Sequence, residues 1–167
     1  MFTDVETLYS EIVPNLFMGG TDDTDVIHLP QISRSPRHDL PFDSIVTMYA
    51  WARPADWQVQ EFRYGIPDAS ISDIDLNRLK QTVEWGYQQW VNGDRVLVRC
   101  QAGLNRSGLV TALILIKSGL DAEAVVDLLR ERRSEYALCN GEYEHWLIEE
   151  GATFILPSDG QRGRVAL

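Results

Sequence analysis

Cysteine is almost missing from this chain: its 167 residues hold two, Cys100 and Cys139. Two thiols cannot staple a small secreted fold, and neither sits in a Cys-x-x-Cys metal spacing, so free thiols in a reducing cytoplasm are expected. Positive charge is scarce as well. Fifteen Lys and Arg stand against 25 Asp and Glu, a net charge of -10, and so acidic a surface repels nucleic-acid backbones and anionic membranes. Long apolar runs are also lacking. The longest, Leu109 to Ile116, falls far short of the roughly 20 residues that cross a bilayer. The opening MFTDVETLYSEIV has three acidic residues and no basic or long apolar stretch, so no secretory leader is expected. These absences argue against a nucleic-acid-coating protein, a disulfide scaffold and a membrane span. One soluble cytoplasmic domain is the expectation.

What the chain does have is apolar bulk: 44% hydrophobic residues and five tryptophans, enough for a substantial core at this length. FDSIVTMY (42–49) and RVLVRC (95–100) are short β-prone runs, and EFRYGIP is a weaker third. Between the last two, Leu76, Leu79, Val83, Tyr87 and Trp90 recur at helical spacing, with Ser72 placed to cap the start and Asn92-Gly93 to end it. Residues 107–117 are apolar almost all round, as a central buried helix requires. Asp121 caps the next helix, and Arg130, Arg132 and Arg133 match the negative end of its dipole or grip an anionic substrate. A last helix is predicted from Asn140 to Glu150, with Tyr143, Trp146 and Leu147 inward and Gly151 beyond its end. Residues 19–41 read as a long loop rich in Gly, Asp, Ser and Pro. The class is α/β: a compact single domain with a central, mainly parallel sheet flanked by helices.

The chemistry concentrates in VLVRCQAGLNRSGLVTALILI, residues 96–116. A strand ending near Arg99 and a helix opening near Arg106 leave a tight loop whose backbone N–H groups converge with the helix's own free first-turn N–H groups. Such a nest binds a tetrahedral dianion. Cys100 would lie at its floor, where the positive field favours thiolate over thiol. Arg106 offers a planar fork for two phosphoryl oxygens. Gly103 suits backbone angles that a β-carbon resists.

The pattern Cys100-x-x-Gly103-x-x-Arg106-Ser107 resembles the active-site signature of the cysteine-dependent protein tyrosine phosphatase superfamily, closest to its compact dual-specificity members. A shuffle of this composition produces it in roughly one chain in a thousand. VPNLFMGG (13–20) is similar to that family's early strand and turn, and FDSIVTMY to its next core strand. The likeness covers about residues 10–150, which places the catalytic domain at 1–156 and a tail at 157–167. The resemblance implies that Cys100 attacks phosphorus to form a cysteinyl-phosphate. It also implies that Gln101, Ala102, Gly103, Leu104, Asn105 and Arg106 bind the phosphoryl oxygens, and that Ser107 helps the sulfur leave. No cofactor and no metal are implied. The expected substrate is a phosphoprotein carrying phosphotyrosine, alone or with phosphoserine and phosphothreonine. Phosphoinositide or RNA 5′-phosphate hydrolysis, a non-catalytic phosphate-reading module and a sulfurtransferase are the alternatives.

The same resemblance calls for an acid some 30 residues before the cysteine. Asp68, in YGIPDASISD, lies 32 residues ahead, with Asp73 and Asp75 as rivals that capping of the following helix also explains. One departure stands out: Arg99 occupies the place where the family usually has His. Asn15 fits either a brace for the phosphate loop or a turn after Pro14. Cys139 reads as a small packed residue or a partner for an oxidised Cys100. Asp22, Asp23, Asp25 and His28 read as a solvated acidic loop rather than a cation site, and His28, His38 and His145 share no metal-like spacing. Tyr49, Trp51, Trp57 and Tyr136 are expected in the core, or else as the lining of an aromatic pocket.

Overall fold

The computed structural model describes residues 8–21 and 41–157. The acidic loop Asp22 to His28 and the tail beyond Pro157 lie outside them. Five strands, β1 (Tyr9–Val13), β2 (Leu16–Gly19), β3 (Ser44–Thr47), β4 (Gln60–Arg63) and β5 (Val96–Arg99), form one sheet in the order β1-β2-β5-β3-β4. β1 and β2 form an antiparallel hairpin, and every other pairing is parallel. Asn15 takes φ 67 in the hairpin turn, and its carbonyl accepts from the N–H of Val96 at 2.9 Å. That contact lies at the opposite end of β5 from Cys100, so Asn15 serves the turn and braces nothing at the loop.

Alternation divides the sheet cleanly. Leu16, Met18, Val46, Val96 and Val98 face the main core, whereas Phe17, Ile45 and Leu97 join Phe42 in a smaller cluster on the other side. Tyr9, Phe17 and Phe42 meet edge to face there. α1 (Leu76–Val91), α2 (Arg106–Lys117), α3 (Ala122–Arg132), α4 (Gly141–Trp146) and α5 (Ala152–Ile155) follow in chain order. α2 is the hub: every residue from Ser107 to Ile116 is buried. Its Leu109, Leu113, Ile114 and Leu115 have no exposed surface, and cutting any one back to alanine costs about 2–5 kcal/mol. So rigid a helix fixes where its N-terminus points.

Two predicted boundaries move. α1 starts at Leu76 rather than near Ser72, because Ile74 adopts an extended conformation and Asp75 becomes the cap, accepting from the N–H groups of Asn77 and Arg78. Ser70 and Asp73 instead close a capping box on a separate single turn, Ile71–Asp73. The final helix does not stop before Gly151; one wider turn, Leu147–Gly151, carries it into α5, where Ile155 is buried. A β-carbon on Gly151 would stand 3.3 Å from Ile116 Cδ1. Glycine lets this turn press against α2, and packing overrides its usual role as a terminator. Asp121 caps α3 as the sequence predicts, and Asn140 caps α4.

Candidate active site

Residues 100–105 bridge β5 and α2. Three carbonyls of this bridge are tied outward: Gln101 O accepts from Thr21 N–H at 2.9 Å, Gly103 O from Arg133 Nε at 3.1 Å, and Leu104 O from Leu138 N–H at 3.1 Å. A trans peptide holds its C=O and the next N–H antiparallel, and no peptide here is cis. The N–H groups of Ala102, Leu104 and Asn105 therefore point the other way, into the loop. The first-turn N–H groups of α2 point along its axis toward the same space.

Gly103 makes the turn possible with φ +74, and a β-carbon there would lie 2.4 Å from the carbonyl carbon of Gly19. The approach of Gly19 and Gly20 to the loop is equally close: a β-carbon on Gly20 would meet Gln101 O at 2.6 Å. Cys100 is 2% exposed and lies at the base of the loop, with its Sγ–H donating to Ser107 Oγ at 3.3 Å. Arg106 opens α2, with its guanidinium 5.2 Å from the centre of the Tyr49 ring and its Nη1 donating to Ile66 O at 3.2 Å. Its Nε is buried without a hydrogen-bond partner among the described residues.

Asp68 is exposed at the rim. One carboxylate oxygen accepts from Asn105 Nδ2 and the other from Asn140 Nδ2, both at 2.9 Å. Asp73 is occupied by its capping box and Asp75 by the start of α1; Asp68 is the one of the three acids that hydrogen-bonds a residue of the loop between β5 and α2. Tyr143 has no exposed surface, and its hydroxyl donates to Pro67 O at 2.8 Å. Burial pushes that phenol up to about 12, so it remains a donor throughout the neutral range.

Arg133, expected as helix-end charge or a grip on an anionic substrate, stands at the C-terminal cap of α3 and also reaches the loop. Its Nε holds Gly103 O and its Nη1 donates to Ser10 Oγ at 3.2 Å. Burial lowers its pKa while the nearby Cys100 opposes that change, so a half-buried cation backs the loop from behind. Arg130, by contrast, pairs with Glu144 at 2.8 Å and holds Ala137 O. Arg99 supports the neighbouring segment rather than the sulfur. Its guanidinium crosses to the other face of the sheet and reaches Thr47 Oγ1 (3.0 Å), Glu61 (3.1 Å) and the carbonyl of Arg53 (2.7 Å).

Other expectations need correction. Trp51 is 84% exposed, Trp57 82% and Tyr136 58%; they sit on connections between elements, where no second layer covers them. Of that set only Tyr49 reaches the loop. Cys139 is exposed rather than packed, with its sulfur against the Asn105 amide. No group of three His, Cys, Asp or Glu among the described residues is placed to hold a metal ion. No helix among them is long and apolar enough to cross a membrane.

At this site a parallel strand runs into a short loop that begins with Cys100 and ends where Arg106 opens the buried helix α2. The sequence model of the dual specificity phosphatase catalytic domain matches residues 49–152, and the chain belongs to that family of protein phosphatases. Solved structures agree on the fold. Tk-PTP in its active form superposes with a TM-score of 0.67 at 22% identity, covering 90% of this chain and 99% of that one. The human tyrosine phosphatase-like serine/threonine/tyrosine-interacting protein gives 0.65 at 20% identity, covering 87% and 97%. Human DUSP28 gives 0.67 at 18% identity, covering 86% and 95%. No curated protein matches the chain in sequence.

Proposed function

We propose that this phosphatase hydrolyses phosphotyrosine, alone or together with phosphoserine and phosphothreonine, through a cysteinyl-phosphate intermediate. The observation that carries the reading is the set of outward-tied carbonyls at Gln101, Gly103 and Leu104, which turns the intervening amides toward Cys100 and Arg106. The phosphoryl group would fill this cradle, with Arg106 Nε and the amides of 101–106 on its oxygens. The Cys100 thiolate attacks phosphorus as the ester oxygen leaves, and Asp68 gives that oxygen its proton. In the second step Asp68, now a carboxylate, takes a proton from water as the water oxygen attacks phosphorus. The S–P bond breaks, and the Ser107 hydroxyl, 3.3 Å from the sulfur, turns to donate to the departing thiolate.

Asp68 is favoured over Asp73 because it alone of the two reaches the loop. A module that only reads phosphate needs neither the sulfur nor the acid, and both stand at the loop here. The test is turnover of a simple aryl phosphate by the wild type, Cys100→Ser and Asp68→Asn. Cys100→Ser is expected to be inactive, and Asp68→Asn to lose about 10²–10⁴-fold. Hydrolysis surviving in Cys100→Ser would end the covalent mechanism.

A further inference from the structure

The segment carrying Asp68 is held at three consecutive residues. Tyr143 Oη donates to Pro67 O at 2.8 Å, Asn140 Nδ2 to both Asp68 Oδ1 and Ala69 O at 2.9 Å, and Asn105 Nδ2 to Asp68 Oδ2 at 2.9 Å. The two amides also lock each other. Asn105 Oδ1 accepts the backbone N–H of Asn140 at 2.9 Å, while Asn140 Oδ1 accepts the N–H groups of Glu142 and Tyr143 at the start of α4. Each amide oxygen thus faces donors and each nitrogen faces acceptors, so the orientation of both side chains is fixed by the network.

Asn105 stands at the mouth of the phosphate loop, directly before Arg106, and makes no cap to α2. Its side chain spends one end on Asp68 and the other on the backbone N–H of Asn140. We infer that Asn105 and Asn140 are positioning residues: a two-amide clamp that seats Asp68 over the phosphate loop before substrate arrives. This rests on Asp68 being the general acid. A lone carboxylate on an exposed loop would sample many directions, and the two donors, one on each oxygen, remove that freedom in advance. The clamp ties three distant parts of the chain together: the segment after β4, the loop after β5 and the N-terminus of α4.

Leaving groups that differ in their need for a proton separate this role from a merely structural one. With phenyl phosphate, whose phenolate is about as basic as the tyrosine side chain at pKa ~10, kcat/KM of Asn105→Ala is expected to fall about 10- to 100-fold. With dinitrophenyl phosphate, whose anion leaves unprotonated, the fall should stay within about threefold. In an Asp68→Ala background the Asn105→Ala change should have no further effect on either ester. Asn140→Asp keeps the oxygen that caps α4 but removes the donor, and it should give the same leaving-group pattern with a circular dichroism spectrum like the wild type's. Equal losses on both esters, or a further loss in the Asp68→Ala background, would overturn the clamp while leaving Asp68 as the acid. An Asp68→Ala enzyme that loses both esters equally would remove the acid assignment, and the clamp's role with it.

Discussion

Replacing Arg99 by methionine tests why an arginine can occupy that position. The guanidinium and Glu61 are 14% and 16% exposed and 3.1 Å apart. Burial alone pushes the Glu61 carboxyl up, but the hydrogen bonds from Thr47 and Ala55 and the charges of Arg63 and Arg99 outweigh it, leaving it below its ordinary 4.5. Removing one partner of a buried pair costs about 3–5 kcal/mol. Glu61 keeps Thr47 at 2.6 Å and Arg63 at 3.4 Å, so about 2–3 kcal/mol is expected here. With a urea slope of about 2 kcal/mol/M, the unfolding midpoint should fall by about 1 M at pH 7. The sign with pH follows from the direction of the Glu61 shift. A carboxyl lowered in the folded state contributes stability above the ordinary 4.5 that is lost as pH falls through its folded value. Losing Arg99 raises that folded value, so the penalty should be largest at pH 7 and shrink by pH 4. A penalty equal at both pH values, or undiminished in a Glu61→Gln background, would refute the reasoning.

Gly103→Ala forces a β-carbon to within 2.4 Å of backbone at φ +74, and it should lower kcat on aryl phosphate more than tenfold, about 1–3 kcal/mol of strain passed to the loop; unchanged turnover would mean the loop tolerates another shape. Arg133→Met removes the donor to Gly103 O and the half-buried cation near Cys100. Alkylation of Cys100 by iodoacetate at pH 6 should slow by about three- to tenfold, and an unchanged rate would show that Arg133 has no electrostatic part. Tyr143→Phe bears on alkaline stability. The wild-type phenol is raised from 10 to about 12, so folding loses stability as pH climbs between those values, and the phenylalanine variant should lack that component of an alkaline melt. Identical alkaline slopes in the two proteins would count against the burial of that hydroxyl.

How far the chain could be read follows from the range of each interaction. Cys100, Gly103, Arg106 and Ser107 lie within one turn of loop and helix, so spacing alone marked them, and the all-round apolar character of α2 placed them at the end of a buried rod. The caps at Asp121 and Asn140 are equally local. What stayed hidden acts across long separations. Arg133 lies 30 residues from Gly103 and Asn140 lies 72 from Asp68, and no periodicity links such pairs. Composition misled at Trp51 and Trp57, because large aromatics are buried on average and nothing local shows that a connection has no layer above it. The contest between Asp68 and Asp73 illustrates the same limit. Both carboxylates suit an acid by position, and each finds the partners its own backbone path offers: a capping box for Asp73, and for Asp68 two amides, from the cap of α4 and the loop after β5. The capping box is written in the few residues around Asp73, whereas the partners of Asp68 come from residues 37 and 72 positions away, and only the fold brings them together.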